Sequence, residues 1–251
     1  MKNHISLVIF AIALLSGPVS ANDLSMTAVK DTLASIPGEH NYIYVRTPLG
    51  EDEEKNYDEI TFYDGLGREL DFAQSYGADR AGAIMAHHHL IEYDSLGRKE
   101  KQWLSTNTSF SYMSPEDLKG GVLWDYHDAG KRSYLQTNYE SSPLNRITEQ
   151  YGVGDAWGDH PARMEYLTNI PADSLRCSFY FIDDNDSLIR RGDYRSGELQ
   201  VTKATDEDGK PTYTFVDKQG RTLLTRLGRG NQQADTYFVF DRFGRIRYVL
   251  P

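Results

Sequence analysis

The sequence predicts a mostly β fold, in which stacked β-hairpins form a curved, open sheet with at most one or two short helices. Three observations predict it. An Asp-x-x-Gly-Arg motif with an aromatic residue just upstream recurs four times in 251 residues, and in the third copy one residue separates the aromatic from the Asp. Strand-favouring residues flank each copy, and tyrosine is frequent, with 17 residues. The single cysteine, Cys177, excludes an internal disulfide, so strand pairing and core burial must stabilise the fold, and Cys177 is expected to be buried.

The four copies share Asp, Gly and Arg at fixed spacing. Average residue usage gives an expectation of about 0.1 chance occurrences of Asp-x-x-Gly-Arg in a chain of this length. Asp at the first position and Gly at the fourth are typical of a type I turn, and a left-handed Gly then closes a hairpin with a bulge. The predicted turn residues are Asp64, Gly67, Arg68, Asp94, Gly97, Arg98, Asp217, Gly220, Arg221, Asp241, Gly244 and Arg245.

Apolar residues of the copies are predicted to pack between hairpins. The third turn residue is apolar in three copies, whereas free hairpin tips are usually polar. We therefore expect these side chains to lie under the turn against a neighbouring hairpin. Gln219 takes this place in the third copy, which predicts a more exposed turn. The predicted packing residues are Tyr63, Leu66, Tyr93, Leu96, Phe215, Phe240 and Phe243.

The N-terminus has the pattern of an export signal. Lys2, an apolar run from Ile5 to Leu15 and Val19-Ser20-Ala21 predict a signal peptide over residues 1–21, with an uncleaved anchor as the alternative. No later segment is apolar enough to cross a bilayer, so we expect no membrane span after cleavage. The mature protein is expected in the periplasm, at the cell surface or in the medium.

The remaining chain divides into three predicted regions. Residues 22–110 form an N-terminal β region with two repeats, residues 111–175 an irregular middle segment, and residues 176–251 a C-terminal hairpin region with two repeats. Within the first region, Leu24 to Ile36 is either a short helix or a lead-in. In the middle, a variant repeat at 139–146 carries Asn145 in place of Gly, and Asn tolerates the left-handed conformation.

Capping signals predict one helix in the middle segment. Ser114 followed by Pro115 and acidic residues marks its start, and Gly120-Gly121 is predicted to end it. Two acidic segments, 183–186 and 206–209, are predicted hairpin turns. Both could also collect calcium, but neither fits a twelve-residue calcium loop, so solvated turn acids are the preferred interpretation.

Two clusters invite a catalytic or metal hypothesis. His87 and His89 would share one face of a strand and, with Glu92, could hold zinc; the alternative is polar residues on a strand.

Asp155, Asp159 and His160 beside Trp157 could supply an acid–base pair, but acids next to glycine are also plain turn formers. In both cases we prefer the plain interpretation and predict no catalytic residue, metal or cofactor. The net charge of −10 argues against nucleic acid as a partner.

The repeat resembles the RHS or YD-repeat family, through Tyr-Asp at Tyr63-Asp64 and Tyr93-Asp94. The mature chain also resembles the uncharacterised N-terminal domain that precedes the repeats in large exported RHS proteins. The segments that carry this second resemblance are 62–68, 139–146, 149–152, 206–209 and 240–251. The resemblance implies strand spirals that close into a hollow shell, which commonly encloses a C-terminal polypeptide, often a toxin. It implies no catalytic residue at these positions.

We therefore expect a non-enzymatic structural segment of an exported RHS-type shell, as the N-terminal part of a toxin-associated or cell-surface protein. Its expected partner is the remainder of a shell, or another chain, at the C-terminal strand edge. The alternative is a secreted surface binding module, in which Trp103, Trp124 and Trp157 recognise glycans or a partner protein. A metal-dependent hydrolase around His87 and His89 is the third hypothesis.

Overall fold

A computed structural model of the chain describes residues 8–9, 26–48, 56–78, 83–228 and 233–251. The protein is mostly β, with 50% strand and 12% helix, and its strands form an open antiparallel sheet. The predicted fold class is confirmed. Of the predicted signal peptide, only Val8 and Ile9 are among the described residues. No helix in the described ranges has the length and apolarity needed to cross a bilayer.

The chain divides into two compact units. Unit 1 comprises residues 1–136 and 152–156, and unit 2 comprises residues 137–151 and 157–251. Strand β8 (Tyr134–Tyr139) begins in unit 1 and continues into unit 2. Short 3-10 helices lie at His127–Ala129, Asp155–Trp157 and Asp173–Leu175.

Unit 1 is an antiparallel meander with two helices. Its sheet order is β1-β2-β3-β4-β5-β6, and β7 also pairs with β5. Over the described part of this unit, β1 and β2 are the only parallel pair. The elements are β1 (Val8–Ile9), α1 (Met26–Ala34), β2 (Asn41–Pro48), β3 (Asn56–Tyr63), β4 (Glu69–Ala78), β5 (Ile84–Tyr93), β6 (Lys99–Trp103), β7 (Thr106–Ser109) and α2 (Pro115–Asp125).

The core of unit 1 forms from strands in which buried and more exposed residues alternate. In β3 every second residue is buried, which is the pattern of a strand with one face on a core. Ile60 and Phe62 come from that face, and Phe110 and Val29 of α1 pack into the same cluster. Of the two alternatives for residues 24–36, a short helix or a lead-in, the structure shows the helix, and Val29 packs it against the sheet.

Helix α2 begins where the sequence predicts but ends later. The Ser114 hydroxyl accepts a hydrogen bond from the Asp117 amide, as an N-cap does. The prediction that Gly120-Gly121 ends the helix is wrong, because the helix continues to Asp125. Packing explains the glycine: a Cβ on Gly121 would lie 2.6 Å from Thr106 Oγ1, so only glycine permits this close approach to β7.

Unit 2 contains an antiparallel meander and a separate hairpin. The order in its main sheet is β9-β10-β13-β14-β15-β16-β17, and among the strands that the structure describes β11 pairs only with β12. The strands are β9 (Ile147–Tyr151), β10 (Ala162–Thr168), β11 (Ser178–Ile182), β12 (Leu188–Asp193), β13 (Gln200–Thr205), β14 (Pro211–Val216), β15 (Thr222–Leu227), β16 (Ala234–Phe240) and β17 (Ile246–Leu250).

The core of unit 2 forms around β13 to β15. Val201, Phe215 and Leu224 from these strands are almost fully buried and lie in one cluster with Cys177. Burial raises the pKa of the Cys177 thiol to about 12, so the side chain is a protonated core residue at neutral pH. The expected burial of this cysteine is confirmed.

The expected burial of the third turn residue is wrong. Leu66 is 80% exposed, Leu96 64% and Phe243 67%. The turn geometry explains this result, because the third turn residue sits at the tip of the hairpin, beyond the last paired residues. Phe215 is fully buried, and Tyr63, Tyr93 and Phe240 are partly buried. Packing is therefore carried by the aromatic residues that precede each turn.

Candidate functional site: the repeated turn and its arginine

Each copy of the motif folds into the same closed turn. In the first copy, Asp64 Oδ1 accepts hydrogen bonds from the amides of Leu66, at 2.8 Å, and Arg68, at 2.9 Å. Gly67 has φ +78°, in the left-handed region that a β-carbon disfavours. Corresponding bonds and positive φ values recur at Asp94, Asp217 and Asp241 and at Gly97, Gly220 and Gly244.

The register of the flanking strands shifts at every one of these turns. The shift falls between Phe62 and Tyr63 in the first copy, and equivalent shifts occur in the other three. A register shift next to a left-handed glycine is the signature of a bulged hairpin. The four copies therefore share one backbone conformation as well as one sequence pattern.

The arginine of each copy folds back onto its own aspartate. Arg68 Nε donates to Asp64 Oδ2 at 2.7 Å, and the same bond is 2.7 Å, 2.7 Å and 2.9 Å in the other copies. The backbone hydrogen bond from Arg68, followed by the side-chain bond, holds the pKa of Asp64 below its usual range. Both carboxylate oxygens are thus engaged within the turn.

The same arginine also reaches the next hairpin. The Arg68 guanidinium lies over the ring of Tyr93, 4.6 Å from its centroid, and Tyr93 is the aromatic residue of the second copy. Arg221 lies over Phe240, the aromatic residue of the fourth copy, at 5.1 Å. We call such an Asp–Arg–aromatic set an arginine staple, because its arginine joins consecutive hairpins through a cation–π contact.

A third staple occurs in the variant repeat. Glu140 replaces the aspartate and accepts bonds from Arg146 Nε and Nη2, both at 2.7 Å. Arg146 covers the ring of Tyr166 at 4.6 Å. Hydrogen bonds from Arg146 and Ser142 lower the pKa of Glu140 to about 2. Asn145 has φ +55°, so its predicted left-handed conformation is confirmed.

The fourth copy differs from the first and third in what its arginine covers. Arg245 lies over Phe243 of its own turn, at 5.2 Å, and its side chain is 66% exposed, against 35% for Arg221. Among the described strands, β17 pairs only with β16. The fourth copy therefore places a bonded Asp241–Arg245 pair, without the contact that makes a staple, at an open sheet edge.

The three consecutive histidines of β5 make contacts with neighbouring residues of the sheet. His88 is buried, with Nδ1 2.6 Å from Asp71 Oδ2 and Nε2 2.9 Å from the Ser109 carbonyl. His87 bonds to Asn107 and stacks on Tyr76. Burial lowers the pKa of His89.

Glu92, the third ligand in the zinc hypothesis, interacts with other side chains. It accepts a bond from Trp103 Nε1 at 3.1 Å and forms an ion pair with Lys119. Burial opposes its ionisation, but these bonds and the Lys119 charge hold its pKa below the usual range. Over the part of the chain that the structure describes, no three His, Cys, Asp or Glu side chains are grouped to hold a metal ion.

The acids of the glycine-rich loop also have structural contacts. Asp155 Oδ1 accepts hydrogen bonds from the amides of Lys131 and Arg132, both at 3.1 Å. It lies against Gly130, which has φ +73° and where a Cβ would overlap the carboxylate. Asp159 and His160 are exposed. The Asp155 carboxylate therefore fixes the backbone of residues 130–132.

The two acidic segments of unit 2 are hairpin turns. Asp183 Oδ1 accepts from the amides of Asn185 and Ser187, and Asp186 takes the left-handed place with φ +62°. Asp206 Oδ1 accepts from the Lys210 amide at 2.7 Å. Both turns use the carboxylate as the repeats do, but without the arginine.

A buried ion pair in unit 1 was not predicted from sequence. Arg46 donates to both oxygens of Asp58, at 2.7 Å and 2.9 Å, and the Tyr44 hydroxyl donates to the same carboxylate at 2.6 Å. Burial and the neighbouring carboxylate raise the pKa of Tyr44. The available signal was alternation: Arg46 and Asp58 share strand faces with Tyr44 and Ile60, and they are direct cross-strand partners.

Comparison with known families identifies part of the chain. The model of a domain of unknown function, DUF6443, matches residues 41–168, half of the sequence. The chain belongs to the DUF6443 family. The matched region contains the first two copies, the variant repeat and the His87–His89 strand, whereas the third and fourth copies lie outside it. No curated protein matches the sequence. For the DUF6443 region, the RHS or YD-repeat resemblance remains a prediction from the repeat residues.

Proposed function

We propose that this DUF6443 protein is a non-enzymatic structural segment of an exported RHS/YD-type β-shell. The arginine staple carries the proposal. In the first and third copies the carboxylate binds the turn amides and the arginine, and the guanidinium covers the aromatic ring of the following hairpin. The polar groups of the motif are used in shaping turns and joining hairpins. Their role is to make a wall from ribbons that individually bury little surface.

The proposed partner is a further hairpin at strand β17. Ile246 and Val249 are each 54% exposed, and an exposed apolar edge strand favours pairing with another strand. Arg245 is the most exposed of the four motif arginines, with Asp241 already bonded to it. A hairpin with an aromatic residue before its turn would complete this staple. That hairpin comes from the remainder of a shell or from another chain.

Site-specific photo-crosslinking in the producing cell tests this partner. A benzoylphenylalanine at Val249, on the edge strand, should yield a crosslinked product whose peptides contain an aromatic-Asp-x-x-Gly-Arg turn. The same group at Ile189, on the separate β11–β12 hairpin, is the matched control, since that residue is also partly exposed. A product from Ile189 alone, or none that carries such a turn, would contradict the proposal.

Export is the second part of the proposal. It rests on Lys2, the apolar run and the small residues before Asn22. N-terminal sequencing of protein from fractionated cells should find a mature chain that begins at Asn22 outside the cytoplasm. A chain that retains Met1 in the cytoplasmic fraction would contradict it.

A surface binding module is the second candidate function. Two of its three predicted tryptophans support it, because Trp124 is 82% exposed and Trp157 47%. Trp103 does not, because it packs against Tyr134 and donates to Glu92. Co-sedimentation with insoluble cell-wall polysaccharide, compared between the parent protein and Trp124→Ala, tests this function. It predicts saturable binding that the substitution weakens.

A further inference from the structure

Three basic side chains surround a pair of aromatic rings in unit 1. Trp103 of β6 and Tyr134 of β8 are cross-strand partners, and their ring centroids lie 4.7 Å apart. Lys101 Nζ and Arg132 Cζ lie 5.4 Å and 5.3 Å from the centroid of the Tyr134 ring. Lys119 Nζ, from α2, lies 5.8 Å from the centroid of the Trp103 ring. Strand β6, helix α2 and the segment before β8 thus bring three cations to one place, which we call the basic cluster.

Two of these cations share one carboxylate. Glu92 of β5 forms ion pairs with Lys119 and with Lys101, whose Nζ lies 3.6 Å from Glu92 Oε2. The same oxygen accepts the hydrogen bond from Trp103 Nε1. Over the described residues, no other acid forms an ion pair with either lysine. The two lysines and Glu92 together carry one positive charge in excess, and Arg132 lies beside them as a third cation.

This excess charge is partly withdrawn from water. The side chains of Lys101, Lys119 and Glu92 are 29%, 28% and 24% exposed. Coulomb interactions strengthen where protein displaces water, so the like charges of the basic cluster repel one another and attract an anion more strongly than fully solvated lysines do. The motif arginines provide a contrast, because each is bonded to the aspartate of its own turn. In a chain of net charge −10, the basic cluster is a place where cations outnumber acids.

We propose that the basic cluster binds a phosphoryl group of a small ligand, such as a diphosphate. A phosphoryl group presents several oxygens in different directions, and two ammonium groups and a guanidinium are donors suited to it. A carboxylate presents only two oxygens in one plane. The net charge of the chain favours a compact ligand, because an extended polyanion would also meet the acidic surface, whereas charges beyond about 8 Å are largely screened at physiological ionic strength. The proposal is independent of the shell function, because the staples use none of these side chains.

Calorimetric titration of the full chain with inorganic pyrophosphate tests the proposal. We expect saturable binding at low ionic strength, with Kd below about 1 mM, and weaker binding as NaCl is added. Inorganic phosphate should bind less tightly, and acetate should not bind measurably. Lys101→Met and Lys119→Met should each weaken pyrophosphate binding by about tenfold, because each removes a charged donor but keeps an apolar stem. Circular dichroism and the melting temperature check that both variants fold.

Three further variants separate binding from a purely structural role. Lys210→Met removes the same charge from an exposed turn of unit 2, where Lys210 pairs with Asp208, and should leave binding unchanged. Lys101→Arg keeps the charge and should retain binding. Glu92→Gln removes the competing carboxylate but keeps an acceptor for Trp103 Nε1. It should bind pyrophosphate several-fold more tightly than the parent, a gain that loss of structure would not produce.

Absence of saturable pyrophosphate binding by the parent would overturn the proposal. Equal affinity of the parent, Lys101→Met and Lys119→Met would also overturn it, as would weaker binding by a folded Glu92→Gln. Vesicles of phosphatidylglycerol present phosphoryl groups on an extended anionic surface. Tighter binding to such vesicles than to pyrophosphate would contradict a compact ligand.

Discussion

Arg68 and Tyr93 belong to different hairpins, yet the guanidinium of one lies over the ring of the other, 4.6 Å from the centroid. Arg68 Nη1 also lies 3.0 Å from the position that a Cβ would occupy on Gly97. The arginine of the first copy thus contacts both the aromatic residue and the turn glycine of the second. The repeat pattern is therefore set between neighbouring hairpins as well as within each one.

This contact makes Gly97 less replaceable than Gly67. Both have left-handed φ values, +80° and +78°, so valine at either site should destabilise the fold by about 1 kcal/mol or more. Gly67 has open space around it, whereas a side chain on Gly97 would displace Arg68. We expect a lower melting temperature for Gly97→Val than for Gly67→Val. Equal melting temperatures would show that the Arg68 contact adds nothing.

Adjacent glycines of α2 should respond in opposite directions to alanine. Gly120 has open space, so Gly120→Ala should stabilise the helix by about 0.5–1 kcal/mol through its higher helix propensity. Gly121→Ala should destabilise the protein, because its Cβ would lie 2.6 Å from Thr106 Oγ1. Urea unfolding of both variants measures the difference. Stabilisation by Gly121→Ala would mean that α2 does not pack closely on β7.

Acid should weaken the variant staple. The pKa of Glu140 is lowered to about 2, so its ionised form is favoured by folding. Its contribution is fully present above the unfolded value of about 4.3 and is lost as the pH falls through about 2. Glu140→Gln should therefore be less stable than the parent at pH 6, and the gap should close between pH 4 and pH 2.

Urea midpoints of parent and variant at pH 6, 4, 3 and 2 measure that gap. Glu207→Gln is the matched control, because Glu207 is an exposed residue of another turn. It should show no such pH-dependent difference. A gap for Glu140→Gln that stays constant from pH 6 to pH 2 would exclude a role for Glu140 ionisation in stability.

The sequence was sufficient to predict the β class and the positions of the hairpins. The reason is physical: Asp at the first turn position and a left-handed glycine at the fourth are local requirements, met by residues close in the chain. The start of α2 was predictable for the same reason, because Ser114 caps an amide three residues away. Features set by local geometry could therefore be predicted from the spacing of residues in the sequence.

Features that depend on contacts with a neighbouring strand could not be predicted from residue spacing. Gly121 is required by the close packing of α2 on Thr106 and does not end the helix, and the Arg46–Asp58 pair is set by strand register. Leu66 was expected inside because it is apolar, but its place at the hairpin tip leaves it exposed. The contacts of Arg68 with Tyr93 and of Arg221 with Phe240 could not be derived either, because in each the arginine and the ring belong to different copies.

A double-mutant cycle between Arg68 and Tyr93 tests the staple most directly. Arg68→Met and Tyr93→Leu are made singly and together, and the free energy of unfolding is measured by urea. The pair Arg68 and Phe240, in non-consecutive copies, is the control and should be additive. We predict a favourable coupling of about 0.5–1 kcal/mol for Arg68 and Tyr93. Additivity of these two substitutions would contradict the claim that the arginine joins one hairpin to the next.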